Sequence, residues 1–138
     1  MNNKEKAQQI YVELQMMERN IQQLQQQIQM LQQQSLELES IQLNLTETSK
    51  VKQGNTILVS LANGIFAKAK IENAENLIVN VGAGIVVNKT VESTNEMLND
   101  QLNETKRVEG NLRNSLSEKV NEFQTKQQEL QKLMQQNV

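Results

Sequence analysis

Apolar side chains recur with alternating four- and three-residue spacing in two long stretches of the chain, and the spacing is lost between them. In the first stretch the repeat runs through Ile10, Leu14, Met17, Ile21, Leu24, Ile28, Leu31, Leu38 and Leu45. This is the seam of a coiled coil, in which each helix turns one apolar stripe toward a partner. In the second stretch Val91, Leu98, Leu102, Leu112, Leu116, Phe123, Leu130 and Leu133 share one such register. Ser35 and Gln42 interrupt the first seam, and Thr105, Glu109, Lys119 and Lys126 interrupt the second. Polar seam positions weaken a coil locally and help to fix its register. Val108, Val120 and Met134 lie one position off the second seam and can share its load if the helix drifts against the strict repeat.

Between these stretches the period falls to two. The pattern predicts strands at Thr56–Leu61, Ile65–Ile71, Asn76–Val81 and Ile85–Asn88, with turns at Ala62-Asn63-Gly64 and Gly82-Ala83-Gly84. Strict alternation puts Ile57, Val59, Leu61, Ile65, Ala67, Ala69, Ile71, Leu77, Val79, Val81, Ile85 and Val87 on one face. The opposite face is mixed, with Ser60, Lys68, Lys70 and Asn80 beside Leu58, Phe66, Ile78 and Val86. Read as a four-stranded sheet, this insert has an apolar face without a cover and outer strands with unpaired backbone groups. Pairing with strands of other chains into a closed barrel removes both defects. The oligomerisation residues expected on this ground are Ile57, Val59, Leu61, Ile65, Ile71, Leu77, Val79, Val81, Ile85 and Val87.

The expected fold class is therefore α+β: an antiparallel two-helix coiled coil with a two-hairpin, four-strand β insert that oligomerises into a β-barrel. A single domain covers residues 1–138, with helix 1 over 4–50, the hairpin module over 54–88 and helix 2 over 91–136. Ser93 or Thr94 is expected to cap the second helix. Gly110 inside it costs about 1 kcal/mol relative to Ala and predicts a soft point. Matched helices of this kind bring residues near Ile10 and Leu14 beside those near Leu130 and Leu133. Helical ends fray where buried contacts are fewest. The residues expected to be partly exposed there, and so to form a contact surface, are Ile10, Tyr11, Leu14, Met16, Met17, Leu130, Leu133, Met134 and Val138. Flexible, polarisable Met side chains suit contact with varied apolar partners.

Composition removes most chemistry. The chain has no Pro to break the helices, and no Cys or His. Disulfides, the usual zinc ligand sets, and Cys-His or Ser-His-Asp catalysis are excluded. No carboxylate pair is gathered for acid–base work, so no enzyme activity is expected. Gly82 and Gly84 join strand to strand with no helix N-terminus behind them, which makes a phosphate loop a poor reading. No cofactor is expected. A net charge of −2 and only Tyr11, Phe66 and Phe123 as aromatics argue against nucleic acid. No run is long and apolar enough to span a membrane, and no signal segment is seen, so a soluble, cytoplasmic protein is expected. The flanks of the first seam carry few charges, so ion pairs are not expected to align the two helices.

The stretch from Gln53 through Gly54, Asn55 and Thr56 to Gly64-Ile65-Phe66 resembles the α class of prefoldin subunits. So does the valine-rich run from Asn76 to Val87 around Gly82-Ala83-Gly84. Two hairpins, where the β class has one, favour the α class. The resemblance implies a hexamer of two α and four β subunits, in which the hairpins form a double β-barrel and coiled-coil arms hang from it. It implies an ATP-independent holdase that captures non-native polypeptide at the arm tips and passes it to a group II chaperonin. Two other readings stay open: a structural coiled-coil scaffold or tether, and a homo-oligomeric binding module without chaperone activity.

Overall fold

A computed structural model of the chain describes residues 2–136. Two long helices, α1 (Asn3–Ser49) and α2 (Val91–Gln136), flank β1 (Thr56–Ala62), β2 (Ile65–Lys70), β3 (Asn76–Gly82) and β4 (Ile85–Thr90). They fall into two compact units. One joins α1 up to Gln34 with α2 from Thr105 onward, and the other comprises Ser35–Glu104.

In the first unit the helices pack antiparallel. The Lys126 ammonium reaches Glu13, while Leu31 and Met30 lie in one groove with Val108 and Leu112. Along α1 the shielded positions include Ile10, Leu14, Met17, Ile21, Leu24, Ile28 and Leu31, the seam read from the spacing, together with Ala7 and Glu13. Along α2 the shielded set includes Leu112, Leu116, Phe123, Leu130 and Leu133, together with the polar Thr105, Glu109, Lys119 and Lys126. Val108 and Val120 are half-buried beside them, whereas Met134 is exposed and takes no share of the seam. Asn2 caps α1, its Oδ1 accepting from the Glu5 amide at 2.8 Å. At Gly110 the helix continues unbroken.

The second unit holds the hairpins and the helix segments that run into them. Leu98, Leu102 and Thr94 are buried on α2 and Ser35 on α1, and the Gln42 amide donates to Asn99 Oδ1. The cap of α2 is Thr90, not Ser93 or Thr94. Its Oγ1 accepts from the Ser93 amide at 3.0 Å, while the Thr94 hydroxyl turns back onto the Thr90 carbonyl at 2.8 Å. Strand β4 runs on to Thr90, two residues beyond the expected end, so no linker separates strand from helix.

The four strands do not make one sheet. β1 pairs only with β2, and β3 only with β4, as two separate antiparallel hairpins. Backbone bonds lengthen each ladder: the Gly54 amide donates to the Ile71 carbonyl, the Ile71 amide to Asn55, and the Val91 amide to Glu75. Cross-strand partners show one face carrying Ile57 with Ala69, Val59 with Ala67, Leu77 with Lys89, and Val79 with Val87. The other face carries Leu58, Ser60, Phe66 and Lys68 in the first hairpin and Ile78, Asn80, Val86 and Asn88 in the second. An irregularity precedes each turn, between Ser60 and Ala62 and between Asn80 and Gly82. The extra residue breaks the strict alternation that grouped Leu61 with Val59 and Val81 with Val79. The loops are correspondingly shorter than expected, with Ala62 paired to Ile65 and Gly82 to Ile85.

Ala83 is the only non-glycine among the described residues with positive φ, at 52°, and it is followed by Gly84 at 75°. Two successive positive values are those of the hairpin turn that favours Asn-Gly over Ala-Gly. A Cβ in this region costs about 1–2 kcal/mol, and Asn is tolerated there better than Ala. Ala83→Asn is therefore expected to stabilise the second hairpin by about 0.5–1 kcal/mol, and Ala83→Val to destabilise it by more than about 1 kcal/mol. Thermal unfolding midpoints of the two variants against the parent chain check the order, and an Asn variant no more stable than Ala would remove the strain.

Candidate functional site

Two surfaces of the chain are apolar and open, one in each unit. The first lies where the N-terminal end of α1 meets the C-terminal end of α2. Ile10 is 6% exposed and Leu14 8%, so neither belongs to the partly exposed set expected from the sequence. Both fill the helix–helix seam. An end position in sequence is not an open position when the partner helix reaches as far. Met17, Leu130 and Leu133 are half-buried. Tyr11 at 57%, Met16 and Met134 are exposed as expected, and Val12 joins them. Val138 lies outside the described residues.

These side chains shape two grooves. One, of about 520 Å³, is lined by Lys4, Ala7, Gln8, Tyr11, Val12, Leu130 and Met134. The other, of about 560 Å³, is lined by Tyr11, Leu14, Gln15, Glu18, Phe123, Gln127, Leu130, Gln131 and Met134. Tyr11, Leu130 and Met134 line both. Sequence reading placed these three together but missed the amides around them. Gln8, Gln15, Gln127 and Gln131 carried no signal beyond being helix formers beside the seam.

An ion pair that the sparse flanking charges did not suggest crosses the helices next to this end. Lys126 Nζ donates to Glu13 Oε2 at 3.0 Å, and Glu129 stands 3.9 Å away. The hydrogen bond to Glu13, then its charge, then the weaker pull of Glu129 raise the Lys126 pKa above the ordinary 10.5, against a small opposing desolvation.

The second surface is on the hairpins. Of the expected oligomerisation set, Ile57, Ile71, Leu77, Val79 and Val87 are half-buried, and Val59, Leu61, Ile65, Val81 and Ile85 are exposed. The face read as mixed is the more open one. Leu58, Phe66, Ile78 and Val86 are among the most exposed apolar residues of the chain, Ile78 reaching 76%. Alternation alone could not rank the two faces, since both carry large apolar side chains. Contiguous exposed apolar surface of this kind marks interaction sites on soluble proteins. Among the described residues no group of His, Cys, Asp or Glu could hold a metal ion, and no helix is long and apolar enough to cross a membrane.

Because the folded pKa of Lys126 is raised, the pair contributes fully below the ordinary lysine value, and its contribution is lost as pH climbs through the raised value. Helix melting followed by circular dichroism at about pH 9 and about pH 11.5 should show a larger alkaline loss in the parent chain than in Glu13→Gln. Equal losses in the two chains would mean that the pair contributes nothing.

Comparison with known proteins agrees with this architecture. The family model described as prefoldin subunit matches residues 17–136. Over 50 residues the chain is 42% identical to prefoldin subunit alpha of Methanothrix thermoacetophila, covering 36% of this chain and 33% of that one. The match therefore spans a third of that relative's length. A longer match, 29% identical over 135 residues, covers 94% of this chain and 90% of prefoldin subunit alpha from Pyrococcus horikoshii. Among solved structures, the filamentous PFD of Methanocaldococcus jannaschii, seen by cryo-electron microscopy, shares the fold with a TM-score of 0.70 at 18% identity, covering 88% of this chain and 95% of that chain. With the family model matched over most of its length, and two hairpins set between two seamed helices, the chain belongs to the prefoldin family.

Proposed function

We propose that this chain is the α-class subunit of a cytoplasmic, ATP-independent holdase. It assembles with β-class prefoldin subunits through its hairpins, captures non-native polypeptide at the paired helix ends, and delivers it to a group II chaperonin. The observation that carries the reading is the end surface itself. Tyr11, Val12, Met16 and Met134 stand exposed over a seam that Ile10 and Leu14 have already closed, so the apolar end is not an unzipped coil. A structural tether has no use for such side chains, and a client segment with exposed apolar residues does. Several arms on one client would add avidity to contacts that are each weak.

Assembly is assigned to the hairpins because neither hairpin covers its own faces. An isolated two-stranded hairpin is marginal in water, and each of these has at least one unpaired edge.

Burial of Ile10 and Leu14 decides how the end is tested. Deleting residues 1–12 would remove seam contacts together with the exposed surface. The triple substitution Tyr11→Ser, Met16→Ser, Met134→Ser leaves the seam intact. It should reduce suppression of aggregation of an unfolded protein, measured without ATP, by about tenfold or more, with oligomer mass and helix content unchanged. Full activity in the triple variant would move the client site elsewhere.

Assembly is tested on the hairpins separately. Val79→Asp with Val87→Asp on one face, or Ile78→Asp on the other, sets a charge against apolar surface, at several kcal/mol if that face is covered. Sedimentation should show loss of the oligomer with helix content retained. Comparing the two variants shows which face is covered, and intact assembly in both would overturn the assignment.

A further inference from the structure

The second hairpin repeats the first at an offset of 20 residues. Every register pair, from Thr56 with Lys70 to Ala62 with Ile65, recurs 20 positions later, from Asn76 with Thr90 to Gly82 with Ile85. The bulge recurs at the same place, and so does a bond that extends the ladder, from Ile71 to Asn55 and from Val91 to Glu75. Residue types follow: Ile57-Leu58-Val59 returns as Leu77-Ile78-Val79, and Gly64-Ile65 as Gly84-Ile85. Such a repeat offers one kind of pairing surface twice.

Charge breaks the repeat. Lys68 stands where the second hairpin has Asn88, and Lys70 where it has Thr90. Thr90 is committed to capping α2, which accounts for one of the two differences but not for the other. Both lysines are exposed, about 7 Å apart along β2, on the face that carries Leu58 and Phe66. Among the described residues neither makes an ion pair, although Glu72 lies two positions beyond Lys70. The surroundings do not offset them. Residues 50–90 hold five lysines against two glutamates, a net +3 in a chain whose net charge is −2.

We propose that the first hairpin selects its partner by charge. The partner strand that covers Leu58 and Phe66 brings Asp or Glu side chains to Lys68 and Lys70, and the second hairpin takes a strand without them. Covering the apolar pair also covers the stems of the lysines, and an ammonium shut off from water without a counter-charge is costly. The partner therefore has to supply carboxylates. Complementary charge adds more to the choice of partner than to the strength of binding. Between two hairpins with the same backbone geometry, it decides which partner goes to which. The inference rests on the reading that the hairpins carry assembly.

The test uses the complex that this chain forms with a β-class prefoldin subunit. A carbodiimide joins an amine to a carboxylate only where the two touch, and the linked peptides are read by mass spectrometry. Links from Lys68 and Lys70 to Asp or Glu of the partner are expected. Lys68→Arg with Lys70→Arg keeps the charge and should keep the partner. Lys68→Glu with Lys70→Glu should weaken one partner contact by about tenfold or more at low salt, and the difference should shrink at about 0.5 M salt. Native mass spectrometry should show the partner of the second hairpin retained. Links confined to glutamates of this chain, in the same or a second copy, would overturn the inference and leave assembly through the hairpins standing. A Glu variant that assembles like the parent at low salt would do the same. So would self-association of Lys68→Gln with Lys70→Gln, which would make the lysines guards of an open strand edge. A parent chain that forms no complex would instead remove the assembly reading, and this inference with it.

Discussion

A two-helix seam buries one stripe of each helix and nothing more, and the other features of this chain follow from that limit. Only Ile10, Leu14, Ile28, Leu98 and Leu102 are buried apolar residues among those described, and none of them is wholly enclosed. Stability accrues heptad by heptad along a line, with no three-dimensional core whose interior grows faster than its surface. A chain of 138 residues folded this way has no interior left in which to hide a hairpin face or a Tyr. Its apolar surplus stays outside, on the strands and at the helix ends. In most proteins such a surplus is a liability. Here it falls in separate places, the hairpins in one unit and the helix ends in the other.

The seam also sacrifices strength along its length. Ser35 is buried with no partner for its hydroxyl, and Gln42 spends its amide on Asn99. Lys126 takes a seam position of α2 and meets Glu13. Apolar residues at these positions would pack better, but a uniformly apolar seam slips as readily by one heptad as it holds. Polar positions that can be satisfied in one alignment alone penalise the others. The pairing of Gln42 with Asn99 and of Glu13 with Lys126 places one such lock in each unit. The orphaned Ser35 hydroxyl locks nothing, and its burial is a plain cost.

Much of this was legible in the chain because periodicity is a local property. The repeat from Ile10 to Leu45, its continuation from Val91 to Leu133 and the four strands between them needed no knowledge of what they touch. Errors arose wherever the answer depended on a partner. Ile10 and Leu14 were expected to be open because they are near an end, yet the opposing helix covers them. The strands were expected to share a sheet, yet sequence carries no term that joins β2 to β3 rather than leaving two hairpins. The bulges at Leu61 and Val81 were hidden because Leu and Val satisfy the alternating pattern whether or not a residue is inserted. Thr90 is not legible as a cap because the alternating pattern ends at Asn88, two residues before the strand does. For the candidate sites, residue type pointed to Tyr11, Met16 and Met134. Only geometry added Gln15 and Gln127.

An asymmetry between the helices follows from the same limit. Large exposed apolar residues on α1 include Tyr11, Val12, Met16, Met30, Leu36, Ile41 and Leu43, whereas on α2 only Met134 is of that kind among the described residues. Charges follow the opposite pattern. In α1 they vanish between Arg19 and Glu37, while α2 carries Asp, Glu, Lys and Arg along its whole length. If both helices were adhesive, the chain would present apolar surface on every side and associate without selectivity. Dividing the tasks keeps one helix hydrated enough for the pair to stay dispersed while the other remains neutral and soft. Leu36 and Leu43, one heptad apart on a single face of α1, show that the division extends into the unit that carries the hairpins. Gln suits such a helix because it favours helical structure, holds water and adds no charge to the neutral face.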